Sequence, residues 1–123
     1  MIVKILARAL VLAGVLAAVT GVGGHAVLER AEPRNGSKVR VVPPAVILIF
    51  TERLEPAYSA VRVHDDAGRS VDAGDSRVDR ANPTTLRVSL TPLPSGTYTA
   101  RWRVLSVDSH ISEGTITFHV SPR

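Results

Sequence analysis

The sequence predicts an all-β domain, an immunoglobulin-like Greek-key sandwich or barrel of about seven strands. Three observations carry this expectation. From residue 25 onward apolar residues recur with a period of two, and no helical stripe survives more than a turn. Pro43, Pro44, Pro56, Pro83, Pro92 and Pro94 punctuate the pattern where strands need connections. Residues 25–123 amount to 99 positions, a usual size for a small sandwich. The chain has no cysteine, which rules out disulfides and thiolate metal sites, and about 100 residues can bury a sufficient core without them.

Ahead of the domain, Lys4 and Arg8 make a positive start, and residues 9–19 contain only Ala, Leu, Val and Gly. Val22 and Gly24 are small enough for the −3 and −1 positions of a signal-peptidase cut. Residues 1–24 therefore read as a signal peptide, and residues 25–123 as the exported domain. Ala17-Ala18-Val19 and Thr20-Gly21 offer competing cuts. The alternative is an uncleaved membrane anchor, but the uncharged run 9–24 falls short of the about 20 apolar residues that a span requires. A soluble protein outside the cytoplasm, periplasmic or secreted, is expected.

Within the domain, residues 26–30 are the first expected strand. Glu32-Pro33-Arg34-Asn35-Gly36-Ser37 is a turn, because proline presets φ and Asn-Gly tolerates positive φ. Residues 39–42 form a short edge-like segment stopped by Pro43-Pro44, which cannot donate to a ladder. Val46-Ile47-Leu48-Ile49-Phe50 is the most apolar run and reads as a central strand buried on both faces. Residues 51–56 leave it as a loop. In 59–64, Val61 and Val63 point inward and Arg62 and His64 outward, and Asp65-Asp66-Ala67-Gly68 follows as a hairpin-type turn. Residues 70–80 are charged and weakly patterned, a strand with a loop. In 85–90, Leu86, Val88 and Leu90 point inward. The cleanest alternation is 97–104, with Tyr98, Ala100, Trp102 and Val104 on one face, and 115–120 closes the chain with Ile116, Phe118 and Val120 inward.

The formal charge of +4, or +2 once Lys4 and Arg8 are removed, is too mild and too scattered for a nucleic-acid partner. One Trp, two Tyr and two Phe make no stacking platform for bases. There is no readable Ser-His-Asp arrangement, glycine-rich phosphate loop or calcium loop.

A metal site is readable instead. A cut after Gly24 makes His25 the first residue, whose α-amine and ring Nδ1 can together chelate one ion. Asp108 and His110 stand two apart, which in extended backbone puts both on one face. Amine, two imidazoles and a carboxylate suit tetragonal Cu(II) better than tetrahedral zinc. Asp-x-His alone is a weak signal; a histidine at the expected mature N-terminus strengthens it.

These residues carry a resemblance. His25 after the signal, Pro33-x-x-Gly36-Ser37, Phe50-Thr51-Glu52-x-Leu54, Pro94-x-Gly96-x-Tyr98 leading to Trp102-Arg103, Ser106-x-Asp108-x-His110, and Gly114 ahead of the last strand resemble the CopC family of periplasmic copper-binding proteins. The resemblance spans essentially all of residues 25–123. It implies a Greek-key sandwich holding one Cu(II) per chain. His25 would supply amine and ring nitrogen, His110 the opposing imidazole, and Asp108 a weak axial or hydrogen-bonding oxygen. Glu52 matches a family glutamate and is either a weak ligand or a solvated loop carboxylate. The expected role is copper sequestration or delivery to a membrane copper transporter, by a monomer with no enzymatic activity.

Two departures matter. Met1 is the only methionine, so the thioether Cu(I) site that some family members carry is missing. The family's proline after the second histidine is Ile111 here. His64 and His119 read as surface residues. An N-terminal histidine with a second histidine also resembles the copper brace of lytic polysaccharide monooxygenases, but five aromatic residues do not furnish their flat aromatic substrate surface. The remaining alternative is a metal-free secreted sandwich.

Overall fold

Eight strands appear in the computed structural model, which describes residues 25–122. They are β1 (Leu28–Glu32), β2 (Lys38–Val39), β3 (Ala45–Phe50), β4 (Ala60–Asp65), β5 (Arg77–Val78), β6 (Thr85–Ser89), β7 (Gly96–Leu105) and β8 (Ile111–Val120). One 3-10 turn, Pro56–Tyr58, is the only helical element among the described residues. One sheet has the order β1-β3-β6-β5 and the other β2-β8-β7-β4. The pairings are antiparallel except β2 with β8. The expected signal peptide, residues 1–24, lies outside the described residues.

The period-two pattern builds the core from the inner faces of both sheets. Val46, Leu48 and Phe50 of β3, Leu86 and Val88 of β6, Val61 and Val63 of β4, Ala100 and Val104 of β7, and Ile116 and Phe118 of β8 form one buried cluster. Tyr98 stacks on its cross-strand partner Phe118, ring centroids 5.7 Å apart, while its hydroxyl donates to the Pro94 carbonyl at 2.6 Å. The phenol thus fills apolar space and still satisfies its polar end.

Several boundaries differ from the expectation. The first strand starts at Leu28 rather than residue 26, because Val27 pairs with Thr51 of a loop instead of a sheet partner. Only Lys38–Val39 of the 39–42 segment joins a sheet, since Pro43-Pro44 offers no amides to prolong it. β3 is central, but Ile47 and Ile49 on its outer side are only half-buried. Leu90 falls just past β6 and is half-buried. β8 begins at Ile111, four residues before residue 115, so β7 and β8 form one long hairpin.

That hairpin contains a close approach that only glycine allows. Trp102 stands opposite Gly114 in the β7–β8 register. A Cβ on Gly114 would collide with indole Cζ2 and stand 2.6 Å from Cη2. The same indole meets Phe50 edge-on at 5.8 Å, so it has little room to retreat. Gly114→Ala is expected to lower stability by about 1–3 kcal/mol through overpacking. Thermal unfolding with the near-ultraviolet signal of Trp102 checks this, at about 4–8 °C per kcal/mol for a domain this size; an unchanged midpoint would contradict the packing described.

Candidate metal centre

The site lies at one end of the sandwich, where three segments are tied together. Thr51 clamps the N-terminal segment in both directions: its amide donates to the Val27 carbonyl at 2.9 Å, and its Oγ1 accepts from the Val27 amide at 3.0 Å. Ala26 is buried beneath the exposed His25. The 51–55 loop is zipped to the end of β7. The Glu55 amide donates to Leu105 at 2.8 Å and the Val107 amide to Arg53 at 3.0 Å, while Leu54 and Ser106 form a bridge. The N-terminus and the β7–β8 turn are thus fixed to the same loop from either side.

These ties bring His25 and His110 together. Their ring centroids are 4.7 Å apart with the planes tilted by 34°. At that separation, rotation of a ring about χ2 can bring a nitrogen of each within the about 4 Å spanned by two metal–nitrogen bonds of about 2 Å.

The extended-backbone expectation for Asp108 and His110 does not hold. Residues 107–109 form a turn in which Ser109 takes a positive φ of 75°. The turn is closed by the Ser109 amide donating to Ser106 at 2.8 Å and by the Ser106 amide donating to His110 at 2.9 Å. It still brings the two side chains face to face, with His110 Nδ1 3.4 Å from Asp108 Oδ1. The fully buried Ser106 organises the turn from below. Its hydroxyl donates to Asp108 Oδ1, and its Oγ accepts from the His110 amide at 3.3 Å. That hydroxyl is the main reason the Asp108 carboxyl is held below the ordinary carboxylate range; desolvation opposes the shift, and His110 adds to it. Asp108 is therefore an anion at neutral pH.

Glu52 is half-buried in the loop, and no hydrogen bond or ion pair joins its carboxylate to either imidazole among the described residues. His64 and His119 lie elsewhere on the sheet of β2, β8, β7 and β4, each half-buried; His119 Nδ1 is 3.0 Å from Thr97 Oγ1. No group of three or more His, Cys, Asp or Glu side chains arranged to hold a metal is found among the described residues. Two residues with positioning roles, Thr51 and Ser106, received none from the sequence. The available signal was their place inside the two motifs that also contain Glu52 and Asp108.

A family model described as CopC domain matches residues 28–121. The copper transport protein CutJ of Bacillus subtilis is 28% identical over 97 residues, which is 78% of this chain but only 18% of that protein's length. Among solved structures, CopC from Methylosinus trichosporium OB3b is 34% identical with a TM-score of 0.71, over 80% of this chain and 96% of that one. PcoC, a methionine-rich copper resistance protein from Escherichia coli, is 29% identical with a TM-score of 0.69, over 80% of this chain and all of that one (100%). With the family model spanning both sheets and the turn that holds Asp108 and His110, the chain belongs to the CopC family.

Proposed function

We propose that the protein, exported and cut ahead of His25, binds one Cu(II) ion per chain and sequesters it or hands it to a membrane copper transporter. The observation that carries this reading is the pairing of the His25 and His110 rings beside Asp108 at the end of a CopC-family sandwich. The freed α-amine and ring Nδ1 of His25 would chelate the ion, and His110 would supply the opposing nitrogen. Such a brace needs only two side chains, fewer than a site built wholly from side chains. Three nitrogens favour tetragonal Cu(II), and with Met1 the sole methionine the chain has no thioether set for Cu(I). The relatives whose names speak of copper transport and copper resistance support the same cargo.

Asp108 is better read as a positioning group than as a ligand. Its Oδ1 is engaged by Ser106 and sits beside His110 Nδ1, which leaves Nε2 of that ring for the metal. A carboxylate behind a ligating histidine fixes ring and tautomer, and losing one typically weakens metal affinity by about 10–100-fold. Asp108→Asn is expected to fall in that range in a competition titration against a chelator of known affinity. Glu52 is assigned the solvated role. We place the mature protein outside the cytoplasm, in the periplasm or its equivalent. No helix among the described residues is long and apolar enough to cross a membrane.

Electron paramagnetic resonance of the copper-titrated mature protein tests the reading. One tetragonal site saturating at one equivalent, with nitrogen hyperfine structure, is expected; a spectrum without nitrogen coupling would overturn it. Binding should weaken in acid, because protons compete with the metal for the nitrogen ligands.

A further inference from the structure

The outer face of the sheet formed by β2, β8, β7 and β4 carries a charge pattern that copper binding does not use. Arg62 of β4 and Arg101 of β7 are direct cross-strand partners, and Arg101 is also opposite Thr115 of β8. Arg103 comes next on that face, between Ala60 and Glu113. These side chains, with His64, line an open groove of about 460 Å3.

Like charges directly opposite one another in an antiparallel pair repel. The other sheet contains a second such pair, Arg77 against Arg87, and balances it with two carboxylates: Asp75 is 3.1 Å from Arg77 and Asp79 is 3.7 Å from Arg87. The Arg62–Arg101 pair has only one. Asp72 is 3.2 Å from Arg62, and Glu113 is 3.2 Å from Arg103. Arg101 is exposed and has no carboxylate partner among the described residues, so three guanidinium groups in the groove meet two carboxylates.

We infer that this groove binds an oxyanion of the phosphate class, with Arg101 as its principal ligand. The planar guanidinium fork matches two phosphate oxygens. Thr115 adds a hydroxyl beside it, and Arg62, whose Nε and Nη2 are taken by Asp72 and Ser70, retains Nη1. The small side chain of Ala60 opposite Arg103 keeps that end of the groove open. Because the groove is solvent-exposed and screened, the affinity is modest, with Kd on the order of 1 mM. The phosphate has two sources, the free ion and the headgroup of an anionic phospholipid.

The test follows the arginine Nε–Hε signals of the purified protein by NMR during titration with sodium phosphate at constant ionic strength. A saturable shift of the Arg101 signal is expected. Arg101→Gln should weaken binding at least tenfold while leaving the backbone spectrum and copper affinity intact, whereas Arg80→Gln, an exposed arginine outside the groove, should change nothing. In a second arm, vesicles containing phosphatidylglycerol are compared with phosphatidylcholine vesicles by co-sedimentation. Phosphate binding alone assigns the free ion, and phosphatidylglycerol-dependent sedimentation lost in Arg101→Gln assigns the headgroup. The proposal is overturned if neither arm shows binding, if Arg101→Gln leaves binding unchanged, or if Arg80→Gln weakens it equally.

Discussion

One alanine placed ahead of His25 in the processed protein is expected to lower Cu(II) affinity by more than about 100-fold, exceeding the usual loss of a supporting group around a metal. The amine at residue 25 would become a peptide nitrogen, which is not basic and can bind copper only after losing its proton. The His25 ring would remain opposite His110, so a site that relied on side chains alone would keep its affinity. The extension should not disturb the fold. His25 is exposed, and the backbone clamp to Thr51 begins at Val27. Equal unfolding midpoints alongside a collapsed affinity, measured by chelator competition, would locate the effect in the amine. Unchanged affinity would remove the N-terminal chelate from the account.

The strand faces were legible because alternation is a local property. Val61 and Val63 point into the core and Arg62 outward, as their order along the chain dictates. The site was legible in its residues but not in its geometry. Asp108 and His110 meet through a turn held by Ser106, and that turn depends on hydrogen bonds across four residues that no periodicity encodes. The convergence of residues 25 and 110 was still less visible. It depends on the 51–55 loop gripping Val27 on one side and Leu105 and Val107 on the other. The 70–80 segment was the least readable, because beyond the apolar contacts of Val71 and Val78 its irregular backbone is fastened to β4 by one set of carboxylate atoms that no periodicity encodes.

That atom set belongs to Asp72, and Asp72→Ala is expected to destabilise the domain by about 2–4 kcal/mol, from the loss of acceptors for two backbone amides and a guanidinium. The Asp72 side chain is fully buried, while its partner Arg62 is 54% exposed. Oδ2 accepts from the Val63 amide at 2.8 Å and from Arg62 Nε at 3.2 Å; Oδ1 accepts from the Gly74 amide at 2.8 Å. The carboxylate thereby fastens an irregular segment to β4, next to the bridge between Asp72 and Leu90. Arg62→Ala should lose less, about 1–2 kcal/mol, because the buried carboxylate it leaves behind gives up one charged donor but still accepts from the two backbone amides. Burial works against ionisation of Asp72, but the two amides and Arg62 outweigh it and hold the carboxyl below its ordinary value. A depressed carboxyl stabilises the folded state above its unfolded pKa of about 3.9, and that contribution disappears as pH falls through the lower folded value. The wild type should therefore lose stability below about pH 4 more steeply than Asp72→Ala, which no longer has that contribution to lose. Denaturant midpoints measured across that range would show the two curves converging in acid; parallel curves would mean that the buried carboxylate is not what secures the segment.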